Sequence, residues 1–238
     1  MKRMLNMKKV INIVLVVLIL FSLYKVITKI VAYRESKNTY EKIQEVKRNS
    51  NKFSEEFINL NEDYKMWIEV PNTNIDYPVV QGKDNDFYLN HDFNKKKSSA
   101  GAIFIDYKNN INKDKNIIIY GHNMRNKSMF QNLMRFKDET FWKENSKIIL
   151  TIGGKRYEYK IFSSYISNAK DLDLKINFKS EDGYLKYIDS IKKKSIFHRD
   201  IYIKSDDRII TLSTCSYEED DNRMIIHGRL ERVIYDIT

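Results

Sequence analysis

The sequence predicts a mainly β protein, a closed or nearly closed barrel carrying a few helices. Three observations predict it. From Met66 onward, short runs rich in Ile, Val, Tyr and Phe recur between polar or turn-forming residues, as strands do. One pair of runs flanks Gly153-Gly154, a hairpin signal, and its second arm alternates Tyr157, Tyr159 and Ile161. Only two stretches among the strands have helical spacing, so the strands must cover one another, and closure removes their unpaired edges.

The N-terminal element is apolar. Val10 to Tyr24 reads VINIVLVVLILFSLY without a charge and follows Lys2, Arg3, Lys8 and Lys9. A bilayer-spanning helix needs about 20 residues. The segment reaches that length near Ile30 if Lys25 and Lys29 snorkel to the interface. A cleaved signal peptide is the competing reading. No small-x-small cleavage site follows, because Leu23 is succeeded by Tyr24, Lys25, Val26 and Ile27. An uncleaved signal-anchor is therefore expected. Lys25, Lys29, Arg34 and Lys37 nearly balance the basic residues ahead of the span, so charge gives orientation little weight. A short basic N-terminus left inside, with the bulk exported, is the simpler topology. From Ser36 to Tyr64, Tyr40, Ile43 and Val46, then Phe53, Phe57 and Leu60, recur at helical spacing. Such helices form either a stalk or a layer packed on the domain. The expected organisation is a cytoplasmic tail at 1–9, a signal-anchor at 10–30, helices at 31–64 and one domain at 65–238.

Within that domain, strands are expected at Met66–Val70, punctuated by Pro71 and Pro78, then at Ala102–Asp106 and Asn116–Tyr120. A helix after Ser128 presents Met129, Phe130, Leu133, Met134 and Phe136. The hairpin arms are Ile148–Ile152 and Arg156–Phe162. A second helix starts at Ser180 as N-cap, with Glu181 and Asp182 in its first turn. Its apolar face is Tyr184, Leu185, Ile188 and Ile191, and Lys192–Lys194 form a solvated end. Strands Arg208–Thr214 and Arg223–Val233 enclose a polar loop, Cys215–Asn222.

Composition narrows the function. Of 238 residues, 42% are apolar, too many for a disordered chain. One apolar stretch excludes a polytopic membrane protein, and a single cysteine excludes a disulfide-stapled domain. The formal charge of +10 is unevenly placed: residues 1–48 hold 11 Lys/Arg against three Glu, and the rest 31 against 29. The surplus therefore flanks the apolar segment and suits membrane lipid with anionic head groups, not nucleic acid.

Motifs for phosphate loops, zinc sites and serine nucleophile elbows are absent, so no cofactor or metal is expected. Cys215 stands where an apolar strand meets an acidic loop. A buried inert thiol is the commoner case for a lone cysteine. In an exported domain, however, an unpaired thiol is an oxidative liability, and strand ends are where sites open. Thiols form thioesters that amines attack, which suits acyl transfer. His122 ends the strand Asn116–Tyr120 and can serve as acid and base. His91 and His198 lie in polar segments, and His227, mid-strand, reads as structural. Arg223 begins the strand after the cysteine loop. Its guanidinium either binds a developing oxyanion or pairs with Glu218, Glu219, Asp220 or Asp221 at the rim.

The run TLSTC (Thr211–Cys215), with YGHN (Tyr120–Asn123) upstream and Arg223 downstream, resembles the sortases, membrane-anchored cysteine transpeptidases of Gram-positive cell walls. IDYPVVQGKDNDFYL (Ile75–Leu89), GAIFIDYKN (Gly101–Asn109) and the helix Ser180–Ser195 are similar to class B. The resemblance covers about Met66 to Val233. It implies an eight-stranded sortase-type barrel with N-terminal helices and a helix before the cysteine strand. It also implies cleavage of a surface-protein sorting motif after Thr and a thioester on Cys215. Transfer of the acyl group to a peptidoglycan amine would follow. By position, His122 is the acid/base and Arg223 the oxyanion or carbonyl ligand. Ser213, Asn85 and Leu89 match substrate-side positions. The implied location is the cell membrane, single-pass, with the catalytic domain outside facing the wall. Three alternatives stand beside this: a hydrolytic cysteine protease, a pilin-polymerising sortase, and a non-catalytic tethered adhesin with Cys215 in its core. Papain-like proteases place Cys before His, the reverse of the order here.

Overall fold

A computed structural model describes residues 2–49, 53–215 and 221–235, with the side chains of residues 2–7, Val10, Phe53 and Cys215 outside that description. Helix α1 (Lys2–Asn49) is continuous from the apolar segment into the domain. Its first half leaves Ile13, Val17, Phe21 and Tyr24 exposed, whereas Ser36, Tyr40 and Ile43 are buried against the barrel. Helix α2 (Phe53–Leu60) follows and buries Phe57, which stacks on Trp67 at 5.2 Å. Of the two expectations for residues 36–64, packed helices hold. Lys47 fastens α1 further, lying 4.7 Å from the Trp67 ring centroid and 2.7 Å from the Asp76 carboxylate.

The strands are β1 (Tyr64–Glu69), β2 (Asp76–Val80), β3 (Ile103–Ile105), β4 (Asn116–Tyr120), β5 (Lys147–Ile152), β6 (Lys155–Asn168), β7 (Ile209–Cys215) and β8 (Asn222–Ile234). They close a barrel in the order β1-β2-β3-β4-β7-β8-β6-β5. Closure succeeds because each strand brings an apolar inner face: Ile68, Val79, Ile103, Ile119, Leu150, Ile161, Leu212 and Ile226 are all buried in one cluster. The β5–β6 turn is tight because Gly153 and Gly154 adopt φ of 53° and 78°, as a primed hairpin turn requires. Helix α3 (Glu139–Glu144) and helix α4 (Glu181–Lys193) cover the barrel. Ser180 caps α4, its hydroxyl accepting from the Gly183 amide at 3.1 Å.

Three expectations need correction. Pro78 does not punctuate; it lies inside β2 opposite Trp67. Pairing with β3 begins only at Val79, so the missing N–H of Pro78 leaves no ladder bond unmade on that side. The helix after Ser128 is a 3-10 helix, Phe130–Lys137, followed by the separate α3. Asp138 ends the first and caps the second by accepting from the Phe141 amide at 2.7 Å. On α4 the buried face is Tyr184, Tyr187, Ile188 and Ile191, with Leu185 37% exposed. Position 185 lies about 100° around the helix from 184, off the stripe that 187, 188 and 191 continue.

His227 is structural. It is fully buried in β8, with Nδ1 2.9 Å from the Thr211 hydroxyl and Nε2 3.1 Å from the Tyr165 hydroxyl. Thr211 gives its single proton to Asn116 Oδ1 at 2.8 Å. The Thr211 oxygen must therefore accept from Nδ1–H, leaving Nε2 to accept from Tyr165. Burial pushes the neutral ring down to about 3, with the Lys194 charge adding to the effect. An unfolded histidine takes a proton near 6.5. Between those values the unfolded state binds more protons, so acid favours unfolding by up to about 1.4 kcal/mol per pH unit. Asp63, Asp114 and Glu158, each held below the ordinary carboxylate range, add their loss only at lower pH. Denaturant midpoints should fall steadily from pH 6.5 to 4.5, and His227→Gln should flatten that slope. An unchanged slope in the variant would assign the acid sensitivity to other groups.

Candidate active site

The barrel register gathers one end of three strands. Strand β7 runs parallel to β4, with Ser213 opposite Tyr120. The Gly121 amide extends this ladder, donating to the Ser213 carbonyl at 3.2 Å. His122 and Cys215 are each two residues beyond that pair, one level farther along their strands. On the other side of β7, antiparallel β8 sets Arg223 directly opposite Cys215. The three residues, 93 and 8 positions apart in the chain, thus share one edge of the sheet. For Cys215 the register fixes the backbone, its side chain lying outside the described residues, as do Ser216–Asp220.

Local packing explains how His122 is presented. Gly121 has no room for a side chain, because a Cβ would lie 2.4 Å from Ile103 Cδ1 and 2.9 Å from the Phe130 ring. The half-buried His122 ring brings Nε2 to 2.8 Å from the Leu89 carbonyl oxygen. A carbonyl only accepts, so Nε2 carries hydrogen, and Nδ1 is the basic nitrogen of the neutral ring. Leu89 ends a 3-10 turn, Phe87–Leu89. Buried Tyr88 pins that turn, donating to Asp63 Oδ2 at 2.7 Å and accepting from Asn61 at 3.1 Å.

A cleft of about 260 Å³ opens at this edge. His122, Arg223, Ser213, Asn85 and Leu89 all line it, so every described residue of the expected site is brought together. Two larger grooves, about 740 and 410 Å³, run along α1 and contain none of them. Arg223 donates to the Asn222 carbonyl across a long 3.4 Å, and no ion pair forms between it and a carboxylate among the described residues. Asn85 is held at both ends of its amide: Nδ2 donates to Asp106 and Oδ1 accepts from the Tyr107 amide, both at 3.0 Å.

Sequence reasoning passed over several cleft residues. Tyr120 lines the wall and donates to Asp106 Oδ2 at 3.1 Å. Burial, with Asp106 nearby, pushes its hydroxyl well above the usual range. Strand parity offered the signal, since Tyr120 lies two residues before His122 and faces the same way as its partner Ser213. Asp86, Phe104, Gly121 and Thr214 complete the lining. The Leu89 main chain, as distinct from its side chain, left no trace in the sequence as a histidine ligand.

The frame is a closed β-barrel with His122 and Arg223 in one cleft beside the end of the cysteine strand, and similarity to known proteins gives the class. The family model of the sortase domain matches residues 68–231. The chain is 39% identical to Sortase B of Listeria monocytogenes over 174 residues, 72% of this chain and 71% of the relative. Against Sortase B of Staphylococcus aureus the identity is 31% over 244 residues, spanning 98% and 99% of the two chains. The X-ray structure of Clostridium perfringens sortase B superposes with a TM-score of 0.73 at 48% identity, covering 75% of this chain and 99% of that one. The chain belongs to the sortase family, in its class B. It is a cysteine transpeptidase, in a cell-envelope-associated family that acts on surface-protein sorting signals and wall peptidoglycan.

Proposed function

We propose that Cys215, His122 and Arg223 carry out a two-stage transpeptidation. In the first stage the Cys215 thiolate attacks the carbonyl carbon of the sorting-motif threonine. The C–N bond breaks and the departing amine takes a proton from the His122 imidazolium, leaving a thioester. In the second, His122 removes a proton from an incoming peptidoglycan amine, which attacks the thioester and expels the thiolate. Arg223 donates to the oxyanion or to a substrate carbonyl through both stages. Ser213, Asn85 and Leu89 form the substrate side of the cleft, with Asn85 already committed to holding Asp106 and the Tyr107 amide. The observation that carries this proposal is the register that sets Cys215 between the strand leading to His122 and the one that carries Arg223.

In the same proposal residues 10–30 span the membrane once, residues 1–9 stay inside, and the helices at 31–64 and the catalytic domain at 65–238 face the wall. The exposed apolar half of α1, long enough to cross a bilayer, supports it. The chemistry is tested by incubating the protein with a sorting-motif peptide library, with and without a short amine acceptor, and weighing the products. Peptide joined to the acceptor is expected. Free acid alone, whatever the acceptor concentration, would replace transpeptidation with hydrolysis.

A further inference from the structure

Helix α1 reaches the His122 segment by two routes, and both leave from Tyr40. This buried side chain donates its hydroxyl to the Gly101 carbonyl at 2.7 Å. Gly101 adopts φ +58°, and a Cβ there would lie 2.8 Å from the Leu89 oxygen and 3.1 Å from His122 Cδ2. Its bare Cα is thus a floor for the imidazole and for the carbonyl that holds the imidazole. The second route is aromatic. The Tyr40 ring meets the Tyr77 ring edge-on, with centroids 5.3 Å apart. The Tyr77 hydroxyl accepts from the Met129 amide at 3.2 Å. Met129 holds φ 55° and ψ −133°, a conformation that a side-chain-bearing residue adopts only when its surroundings impose it. The next amide, Phe130, donates to the His122 carbonyl at 2.9 Å. One route therefore supports the ring of His122 and the other its backbone.

We infer that Tyr40 is a positioning residue for the transpeptidase: α1, the helix that carries the apolar segment, clamps the acid/base against Leu89. The inference rests on the proposed role of His122. Without the Tyr40 hydroxyl, Gly101 loses its outer restraint and the Nε2–H···O bond to Leu89 loosens. That bond favours the charged ring, because an imidazolium donates more strongly than a neutral imidazole. The two effects predict a slower chemical step and a histidine that gives up its proton at lower pH.

The test uses the full chain in detergent, comparing wild type, Tyr40→Phe, Tyr40→Ala and His122→Ala in acyl transfer across the pH range. Tyr40→Phe keeps the ring contact with Tyr77 and removes only the donor. It is expected to lower kcat about 10-fold, because small misplacements of a catalytic group are costly. KM should stay within about two-fold, and the limb of the pH profile set by the imidazolium should move to lower pH. Tyr40→Ala severs both routes and should be slower than Tyr40→Phe. A merely structural tyrosine would lower the melting temperature in both variants yet leave kcat and the pH limb of Tyr40→Phe unmoved, and that result overturns the inference. Full activity in His122→Ala would instead overturn the underlying assignment of the acid/base, so the two failures are separable.

Discussion

Cys215→Ala is expected to abolish acyl transfer, with a loss of at least about 10⁴-fold, the scale on which removal of a nucleophile is felt in enzymes of this kind. No second thiol can substitute, because this is the only cysteine in the chain, and the sequence holds no serine nucleophile elbow. His122→Ala should come close to the same loss, since without it the thiol keeps its proton and the amine leaves unprotonated. The double variant should be no worse than Cys215→Ala alone, because residues acting as a unit are not additive. Intact-protein mass spectrometry after mixing with a sorting-motif peptide is the direct readout. Wild type should gain the mass of the acyl fragment and lose it when an amine acceptor is added. The Cys215→Ala protein should gain nothing. An adduct that survives in that variant would place the acyl group on another residue and end the thioester mechanism.

Much of this site was legible because strand ends can be read in the sequence. Asn116–Tyr120 was bounded correctly from its run of isoleucines, which put His122 at a strand exit. Cys215 stood at the end of an equally apolar run. What those patterns could not supply was the pairing: nothing local says that β4 lies beside β7, 89 residues downstream of the β4 end, in parallel register. The family resemblance stood in for that long-range information. Side-chain chemistry was recovered at His227, where a mid-strand position between apolar neighbours already implied a satisfied buried ring. Main-chain chemistry was not. The Leu89 carbonyl, the Gly101 floor and the strained Met129 depend on where loops come to rest, and any residue type provides a carbonyl. The missed 3-10 helix has the same origin. Phe130, Leu133 and Phe136 repeat every third residue, a spacing that suits a three-residue turn as well as one face of an α-helix.

Arg223→Lys should keep the charge and lose the chemistry. The guanidinium is a rigid planar fork with several donors, whereas an ammonium is one compact, strongly hydrated point on a flexible stem. Arg223, the second residue of β8, lies directly opposite Cys215 and lines the cleft without an ion-pair partner among the described residues. It is therefore placed to direct those donors at a reacting carbonyl. Removing one preorganised donor from a developing oxyanion costs about 10²–10³ in rate, or about 2.7–4 kcal/mol, and a loss of that order in kcat/KM is expected. Folding should be little affected, within about 1 kcal/mol, because the side chain is partly exposed and fills no core position. The division of the loss then separates the two roles that sequence reasoning left joined. If Arg223 meets the oxyanion only in the transition state, kcat falls and KM stays. If it already grips a substrate carbonyl in the ground state, KM rises with it. Steady-state kinetics of acyl transfer at saturating acceptor decide between them, and near-normal kcat and KM in the lysine variant would remove Arg223 from the mechanism altogether.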